Sequence, residues 1–138
     1  EKEGTMMLIP LHGLFMGLGF ICMVIAIVIA RYFRKKRWWL KFHRGLNISA
    51  SSLALIGILI ALIMVTPAYG MQLPLLHHLF GLATLVLLIA EPLLGFSIFK
   101  TTNKKKIMRL KKMHRIIGRI TPVLYLITII IIEFVIKD

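Results

Sequence analysis

Four long apolar runs make up most of this 138-residue chain, at roughly residues 8–30, 45–66, 75–99 and 116–136. A helix needs about 20 mostly apolar residues to cross the hydrocarbon core of a bilayer. With 59% hydrophobic residues and a mean hydropathy of +0.88, a soluble domain of this length could not bury so much apolar surface. We therefore predict an all-α, integral membrane, up-down four-helix bundle. It forms one transmembrane domain over residues 1–138 and leaves no room for a soluble catalytic domain.

The basic residues indicate how the helices are oriented in the membrane. Sixteen of the 18 Lys and Arg residues lie in the first and third connections, at 31–44 and 100–119. The second connection, around Thr66 to Pro74, has none. Short cytoplasmic loops carry an excess of Lys and Arg, so we predict that the basic loops are cytoplasmic and both termini are not. The net charge of +13 is then expected to serve topology and attraction to anionic membrane lipid, with no nucleic-acid partner.

Each apolar run carries a histidine near its N-terminal end: His12, His43, His77 with His78 beside it, and His114. Because consecutive helices alternate in direction, His12 and His77 are predicted near the outer membrane face. His43 and His114 are predicted near the inner face. Ionisable residues inside a membrane are costly and are therefore functional candidates. Two imidazole pairs at two depths meet the requirement of two bis-histidine haems in the core of a helical bundle.

Two of these histidines are followed by a glycine at helical spacing. His77 precedes Gly81, and His114 precedes Gly118, by four residues each. Residues four apart lie on the same helical face. A glycine there would leave open space beside the imidazole for the edge of a porphyrin. This spacing favours His77 over His78 as a ligand, and His78 stays the alternative.

Other metal sites have weaker support in the sequence. A zinc or di-iron site in a bundle needs carboxylates and histidines at one depth. The intramembrane acids Glu91 and Glu133 instead lie far from the nearest histidine of their own helices. The chain has no Cys-x-x-Cys-His motif, and its one cysteine is Cys22, so any haem would be b-type. Met16 and Met113 could ligate iron, but the histidines already suffice.

Four motifs occur in order over about residues 8–136. They are His12-x-x-x-Met16, Lys41-Phe42-His43-Arg44-Gly45-Leu46-Asn47, His77-His78-Leu79-Phe80-Gly81 with Glu91-Pro92-Leu93-Leu94-Gly95-Phe96, and His114-x-x-x-Gly118. Together they resemble the four-helix core of the cytochrome b561 family. The resemblance implies two non-covalent b-type haems and transmembrane electron transfer. Family members commonly take electrons from a donor such as ascorbate and pass them to monodehydroascorbate or ferric iron, and some bacterial members use quinones.

Carried over by position, the resemblance assigns His12 and His77 to the iron of the outer haem. It assigns His43 and His114 to the iron of the inner haem.

Four basic residues near the inner site are candidates to neutralise haem propionates or to attract an anionic donor, with membrane topology as their alternative role. They are Arg31, Lys41, Arg44 and Arg115.

Three features depart from the family pattern. The chain has the core four helices, whereas many members have six. Glu91 occupies a position that is often glutamine, and it either hydrogen-bonds within the bundle or couples proton movement to the inner haem. The basic residue before His43 sits two places upstream, at Lys41, which argues against an ascorbate-type site.

Three functional hypotheses stay open. The chain could be a free transmembrane reductase, passing electrons between a one-electron donor and acceptor. It could instead be a haem-carrying membrane-anchor or quinone-relay subunit of a larger redox complex. A haem-free transporter or assembly factor would require the layering of the histidines to be accidental. A homodimer is possible in the first two cases.

Overall fold

The computed structural model describes residues 2–66 and 75–137, with side chains over 7–66 and 75–131. In these ranges the chain forms four α-helices, namely α1 (Lys2–Tyr32), α2 (Trp39–Met64), α3 (Leu75–Lys100) and α4 (Lys104–Lys137). All four are long and apolar enough to cross a membrane, which confirms the predicted all-α, four-helix integral membrane fold. The second connection falls mostly at 67–74, outside the described residues.

Three of the helices begin before the apolar runs, and the difference is largest for α4. α2 begins at Trp39 rather than at 45, and α4 begins at Lys104 rather than at 116. Lys and Arg are good helix formers, so α4 includes its basic segment from Lys104 onwards, whereas residues 33–38 between α1 and α2 are not helical. The Asn103 side chain caps α4 by accepting a hydrogen bond from the Lys106 N–H at 3.1 Å. The histidines of α2 and α4 therefore lie inside their helices rather than at the first residues.

The inward face of each helix follows one spacing that starts at its histidine. Inward positions come four, seven, eleven and fourteen residues after the histidine, and all are buried except two half-buried glycines. Alternating steps of four and three residues are typical of helices packed at a shallow left-handed crossing angle. These positions are Met16, Gly19, Met23 and Ala26 on α1; Asn47, Ala50, Ala54 and Gly57 on α2; Gly81, Thr84, Leu88 and Glu91 on α3; and Gly118, Thr121, Tyr125 and Thr128 on α4.

Small residues allow α1 and α2 to approach closely. A Cβ atom on Gly57 would lie only 2.8 Å from the Sδ atom of Met16. A Cβ atom on Gly19 would lie 3.2 Å from the carbonyl oxygen of Ala50. Membrane helices associate through this kind of backbone approach at small residues, because lipid provides little hydrophobic drive between helices.

The bundle consists of two helical hairpins. α1 packs mainly against α2, and α3 packs mainly against α4, while the α2–α3 and α1–α4 contacts are far less extensive. Within the described ranges, no Cα atom of α1 comes within 8 Å of α3, and none of α2 comes within 8 Å of α4. The helices therefore follow the order α1, α2, α3, α4 around the bundle, with α1 diagonal to α3 and α2 diagonal to α4.

The middle of the bundle is a packed waist that joins the hairpins. The Ser51 hydroxyl on α2 donates to the Leu88 carbonyl on α3 at 2.8 Å. That carbonyl is free because Pro92, four residues later, has no N–H to donate to it. The Tyr125 hydroxyl on α4 donates to the Met16 carbonyl on α1 at 2.8 Å. The buried apolar cluster of the waist comprises Met16, Met23, Ala50, Ala54, Leu88 and Tyr125.

Candidate functional site

The four predicted histidines form two pairs, one on each side of the waist. The ring centroids of His12 and His77 lie 6.3 Å apart, and those of His43 and His114 lie 6.1 Å apart. The ring planes are steeply inclined in both pairs, at 74° and 88°. We call His12 and His77 the terminal-end pair, because α1 begins and α4 ends on that side. We call His43 and His114 the basic-end pair, because the two basic connections border it.

In both pairs the two imidazoles are spaced so that they could hold one metal ion between them. Two imidazoles on opposite sides of a metal hold their ring centroids roughly 6 Å apart, since each metal–nitrogen bond is about 2 Å. Each pair also spans diagonal helices, which leave room between them for a flat group. In the part of the chain with described side chains, no group of three or more His, Cys, Asp or Glu could hold a metal ion. Haem iron needs only two protein ligands, so the pairs suit haem better than a bare metal.

Main-chain carbonyls orient the histidines of the first hairpin. The His12 Nδ1 atom lies 2.7 Å from the Gly57 oxygen on α2, and the His43 Nδ1 atom lies 2.9 Å from the Ala26 oxygen on α1. A carbonyl can only accept, so Nδ1 carries the proton and donates it in both bonds. The Nε2 atom of each ring then carries a lone pair, which is the usual arrangement of a ligating histidine. At His43 the Asn47 amide nitrogen lies 3.4 Å from Nε2, while it donates to the His43 carbonyl oxygen at 2.8 Å.

The second hairpin repeats this arrangement with one difference. His77 Nδ1 donates to the Thr128 carbonyl on α4 at 3.3 Å. His114 is adjacent to the main chain of Glu91 on α3, but its buried Nδ1 makes no hydrogen bond of good geometry with any described residue. Three of the four rings are therefore held by a carbonyl of the neighbouring helix.

The four residues whose main chain lies next to the histidines share one position relative to the histidine of their own helix. Ala26, Gly57, Glu91 and Thr128 each lie 14 residues after the histidine of their own helix. The two hairpins are therefore structural repeats, each with a histidine at either end. At about 1.5 Å per residue, 14 residues place the two histidine pairs about 21 Å apart along the bundle.

A cavity of about 740 Å³ adjoins the basic-end pair, and both of its histidines line it. This volume lies within the range of pockets that hold large organic ligands, roughly 300–1,000 Å³. Six basic residues line the cavity, namely Arg31, Arg34, Arg44, Lys111, Arg115 and Arg119. Three of them were predicted from the sequence, whereas the predicted Lys41 is exposed and does not line the cavity.

Arg34, Lys111 and Arg119 were missed by the sequence reasoning. Lys111, Arg115 and Arg119 are spaced by four residues on α4, so the helical spacing from Arg115 could have found two of them. Arg34 lies in the basic connection and carries no comparable signal.

Aromatic rings fix one of the basic side chains at the cavity wall. The Arg44 guanidinium lies 4.8 Å from the ring centroid of Phe96 and 5.4 Å from that of Phe99. Such cation–π contacts hold an arginine over an aromatic face while its N–H groups stay available. Arg44 is therefore positioned by α3 to donate to an anionic group inside the cavity.

Glu91 also lines this cavity and is only 3% exposed. Its Oε1 atom has no hydrogen-bond partner among the described residues. A Cβ atom on Gly118 would lie 3.7 Å from this oxygen, so the glycine leaves room for the carboxyl group. At the other end, a Cβ atom on Gly81 would lie 3.9 Å from the Cγ2 atom of Thr128. Gly81 thus faces α4 closely.

The remaining candidate ligands lie away from the pairs or outside the description. His78 is exposed, whereas His77 is half-buried. Met16 packs in the waist against Gly57, and Met113 is 49% exposed. Glu133 lies outside the residues whose side chains are described.

Tyr125 is a central residue of the waist that the sequence reasoning missed. It is fully buried between the two histidine pairs, with its ring 5.4 Å from that of Phe20. It lies eleven residues after His114 on the inward face of α4. The four-and-three spacing from the histidine would have placed it in the core.

Comparison with known proteins agrees with this geometry. The family model described as eukaryotic cytochrome b561 matches residues 11–133, which span all four histidines. No curated protein and no solved structure gives a significant match. Because the family model covers nearly the whole chain, the protein belongs to the cytochrome b561 family of membrane proteins, which bind haem b and transfer electrons across the membrane.

Proposed function

We propose that the chain binds two haems b and passes single electrons from one membrane face to the other. His43 and His114 would ligate the basic-end haem, and His12 and His77 the terminal-end haem. The observation that carries this proposal is the two imidazole pairs, each with its ring centroids about 6 Å apart on diagonal helices. When bound, haem supplies the one-electron redox chemistry, and the protein supplies ligands, burial and charge.

The carbonyl hydrogen bonds prepare the imidazoles for this role. By holding the proton on Nδ1, they select the tautomer whose Nε2 atom is free, and they increase its basicity. The waist fills the space between the pairs with buried side chains, including Tyr125 at 0% exposure. It would keep water and ions out of the centre of the bundle while the two sites stay at a fixed separation.

The basic-end cavity supports an anionic electron donor. A haem brings two propionate groups, and six basic side chains line the cavity, so positive charge remains after the propionates are neutralised. Arg31, Arg44 and Arg115 are proposed to share these two tasks. Lys41 does not line the cavity, so we assign it to membrane topology. By the positive-inside rule, this end would face the cytoplasm and the termini would face the opposite side.

A quinone-relay subunit is the second candidate function. It is favoured by the terminal-end pair, around which no described side chain is charged, over 7–20, 54–66, 75–84 and 124–131. Uncharged surroundings in these described ranges suit a neutral, membrane-dissolved acceptor better than a charged one. In this case the chain would purify with foreign subunits, whereas a free reductase would purify alone or as a homodimer.

Haem stoichiometry tests the proposal. The purified protein should contain two haems b per chain, with the reduced-minus-oxidised spectrum of low-spin, bis-histidine haem. A protein that binds one haem or none when haem is in excess would contradict the two-site proposal. The mass of the detergent-solubilised particle then separates the free reductase from the anchor subunit.

A further inference from the structure

Both proposed haem sites are divided between the same two hairpins. The hairpin of α1 and α2 contributes His12 to the terminal-end pair and His43 to the basic-end pair. The hairpin of α3 and α4 contributes His77 and His114. Neither hairpin contains a complete site, so a bis-histidine site exists only where the two hairpins meet.

The first hairpin holds its histidines in place without help from the second. The hydrogen bonds of His12 and His43 both go to carbonyls of the same hairpin, at Gly57 and Ala26. The close approach of Met16 to Gly57 fixes the register between α1 and α2 at the level of the His12 hydrogen bond.

The second hairpin is held together in the same way. His77 bonds to the Thr128 carbonyl, and the Thr128 hydroxyl lies 3.4 Å from that of Thr84 across the α3–α4 contact. His114 is adjacent to the main chain of Glu91, again within its own hairpin. Each hairpin thus presents one imidazole at each end before the other hairpin is considered.

Direct contact between the hairpins is sparse by comparison. Among the described residues, only two side-chain donors cross from one hairpin to the other, Ser51 to Leu88 and Tyr125 to Met16. Both of these bonds lie in the waist. At the basic end, the Arg44 guanidinium on α2 also contacts the Phe96 and Phe99 rings on α3. The helix contacts between the hairpins are still much less extensive than those within them. Lipid covers an apolar helix face about as well as another helix does, so apolar contact alone gives the hairpins little reason to associate.

We propose that haem joins two preformed hairpins, so that the complete four-helix unit depends on haem at both ends. This inference rests on the proposed two-site function. One ligated haem would bridge the hairpins at one end, and the second would bridge them about 21 Å away. Two bridges form a bivalent link, in which the first holds the halves of the second site at high effective concentration. In the cut protein, where no covalent connection joins the hairpins, loading of the two sites is therefore cooperative.

The test cuts the connection between the hairpins in the full, haem-loaded protein. A specific protease site is introduced within 67–74, the chain is cleaved after purification, and one hairpin is captured by an affinity tag. The retained fraction of the other hairpin is measured over time, together with haem absorbance. With both haems bound, the hairpins should stay together. With one site removed, by His12→Ala/His77→Ala or by His43→Ala/His114→Ala, we expect separation on the order of a hundredfold faster.

Two control variants and one experiment without substitutions show whether the separation is caused by loss of haem. His78→Ala alters an exposed histidine beside the terminal-end pair and should behave like the unaltered protein. Ser51→Ala removes a direct bond between the hairpins and should accelerate separation much less than loss of a haem site. A haem-scavenging apoprotein, added in excess to the unaltered cleaved protein, removes haem without any substitution and should release the hairpins.

The outcomes separate this inference from the proposed function. If the uncut protein carries two haems but the cut hairpins stay together equally well after haem is scavenged, the inference is wrong and the two-site function stands. If the uncut protein carries one haem or none, the two-site function fails and the inference fails with it.

Discussion

The two ends of the bundle share their ligand geometry but differ in their surroundings. The imidazole centroids are separated by nearly the same distance at both ends, 6.1 and 6.3 Å. The basic end adds a cavity lined by six Lys and Arg residues and one buried carboxyl group, while the described side chains of the terminal end carry no charge. The repeated hairpins thus provide two equivalent ligand pairs. The connections, which are not repeated, distinguish the partners that each pair can meet.

The largest effect on haem binding is expected from a substitution that fills the basic-end cavity. Gly118 lines this cavity. The Cβ atom of a leucine at this position would lie 3.7 Å from the Glu91 Oε1 atom, and the rest of its side chain would enter the cavity. Gly118→Leu should lose the basic-end haem and keep the terminal-end haem, as measured by haem absorbance per chain. Gly45→Ala is the control, since its Cβ atom would meet nothing within 4 Å. Equal loss of both haems would show that the two ends are not independent in the uncut chain.

The second-largest effect is expected from a substitution at the close contact between Gly57 and Met16 inside the first hairpin, and it concerns the rate of haem dissociation. Gly57→Ala would place a Cβ atom 2.8 Å from the Met16 Sδ atom, and overpacking of this kind costs about 1–3 kcal/mol. Because the Gly57 carbonyl accepts the His12 hydrogen bond, the terminal-end haem should dissociate faster than the basic-end haem. Haem-transfer kinetics would measure both rates. Gly13→Ala, which has open space around its Cβ atom, should change neither, and faster loss at the basic end would refute this interpretation.

Removing charge at the basic end should change the rate at which the haems are reduced more than it changes the number of haems bound. Arg44→Gln/Arg115→Gln removes two charges from the cavity, so reduction by ascorbate at low ionic strength should slow by about tenfold and lose much of its salt dependence. Stopped-flow reduction at several salt concentrations measures this effect. Lys41→Gln removes a charge outside the cavity and should slow reduction far less. Equal slowing by Lys41→Gln would mean that general surface charge, not the cavity, attracts the donor.

The smallest effect on stability and haem binding is expected from a substitution in the waist, and both haem sites should be affected equally. Tyr125→Phe removes the hydroxyl that donates to the Met16 carbonyl but keeps the buried ring. A single hydrogen bond contributes about 0.5–1.5 kcal/mol, so the midpoint of denaturant unfolding should fall slightly. Haem dissociation should accelerate by similar small factors at the two sites. A change confined to one site would place Tyr125 in that site rather than in the waist.

The sequence predicted the helices and the histidine layers well, because both depend on simple periodic patterns. The apolar runs located all four helices, and antiparallel alternation was enough to predict which histidines share a depth. The structure brings His12 to His77 and His43 to His114, as that alternation requires. Helix starts were predicted less well, since the segment from Lys104 to Lys112 is rich in charged residues yet favours a helix.

The contacts around the histidines could not be predicted from residue types. Three imidazoles bond to main-chain carbonyls, and a carbonyl has no sequence signature. Of the basic residues, Arg34 lines the cavity without having been predicted, and the candidate Lys41 does not line it. Residue type alone does not tell which way a basic side chain points. The structure shows that each carbonyl residue lies 14 positions after the histidine of its own helix. Once this spacing is known, the four carbonyl residues can be found in the sequence.

The central claim is that the four histidines form two separate haem sites, and paired double variants test it most directly. His43→Ala/His114→Ala should retain one haem, at the terminal end, and His12→Ala/His77→Ala should retain one haem, at the basic end. Redox titration of each variant should then show a single midpoint potential, and the two potentials together should reproduce the titration of the unaltered protein. Two haems remaining in either variant, or the same potential surviving in both, would contradict the account.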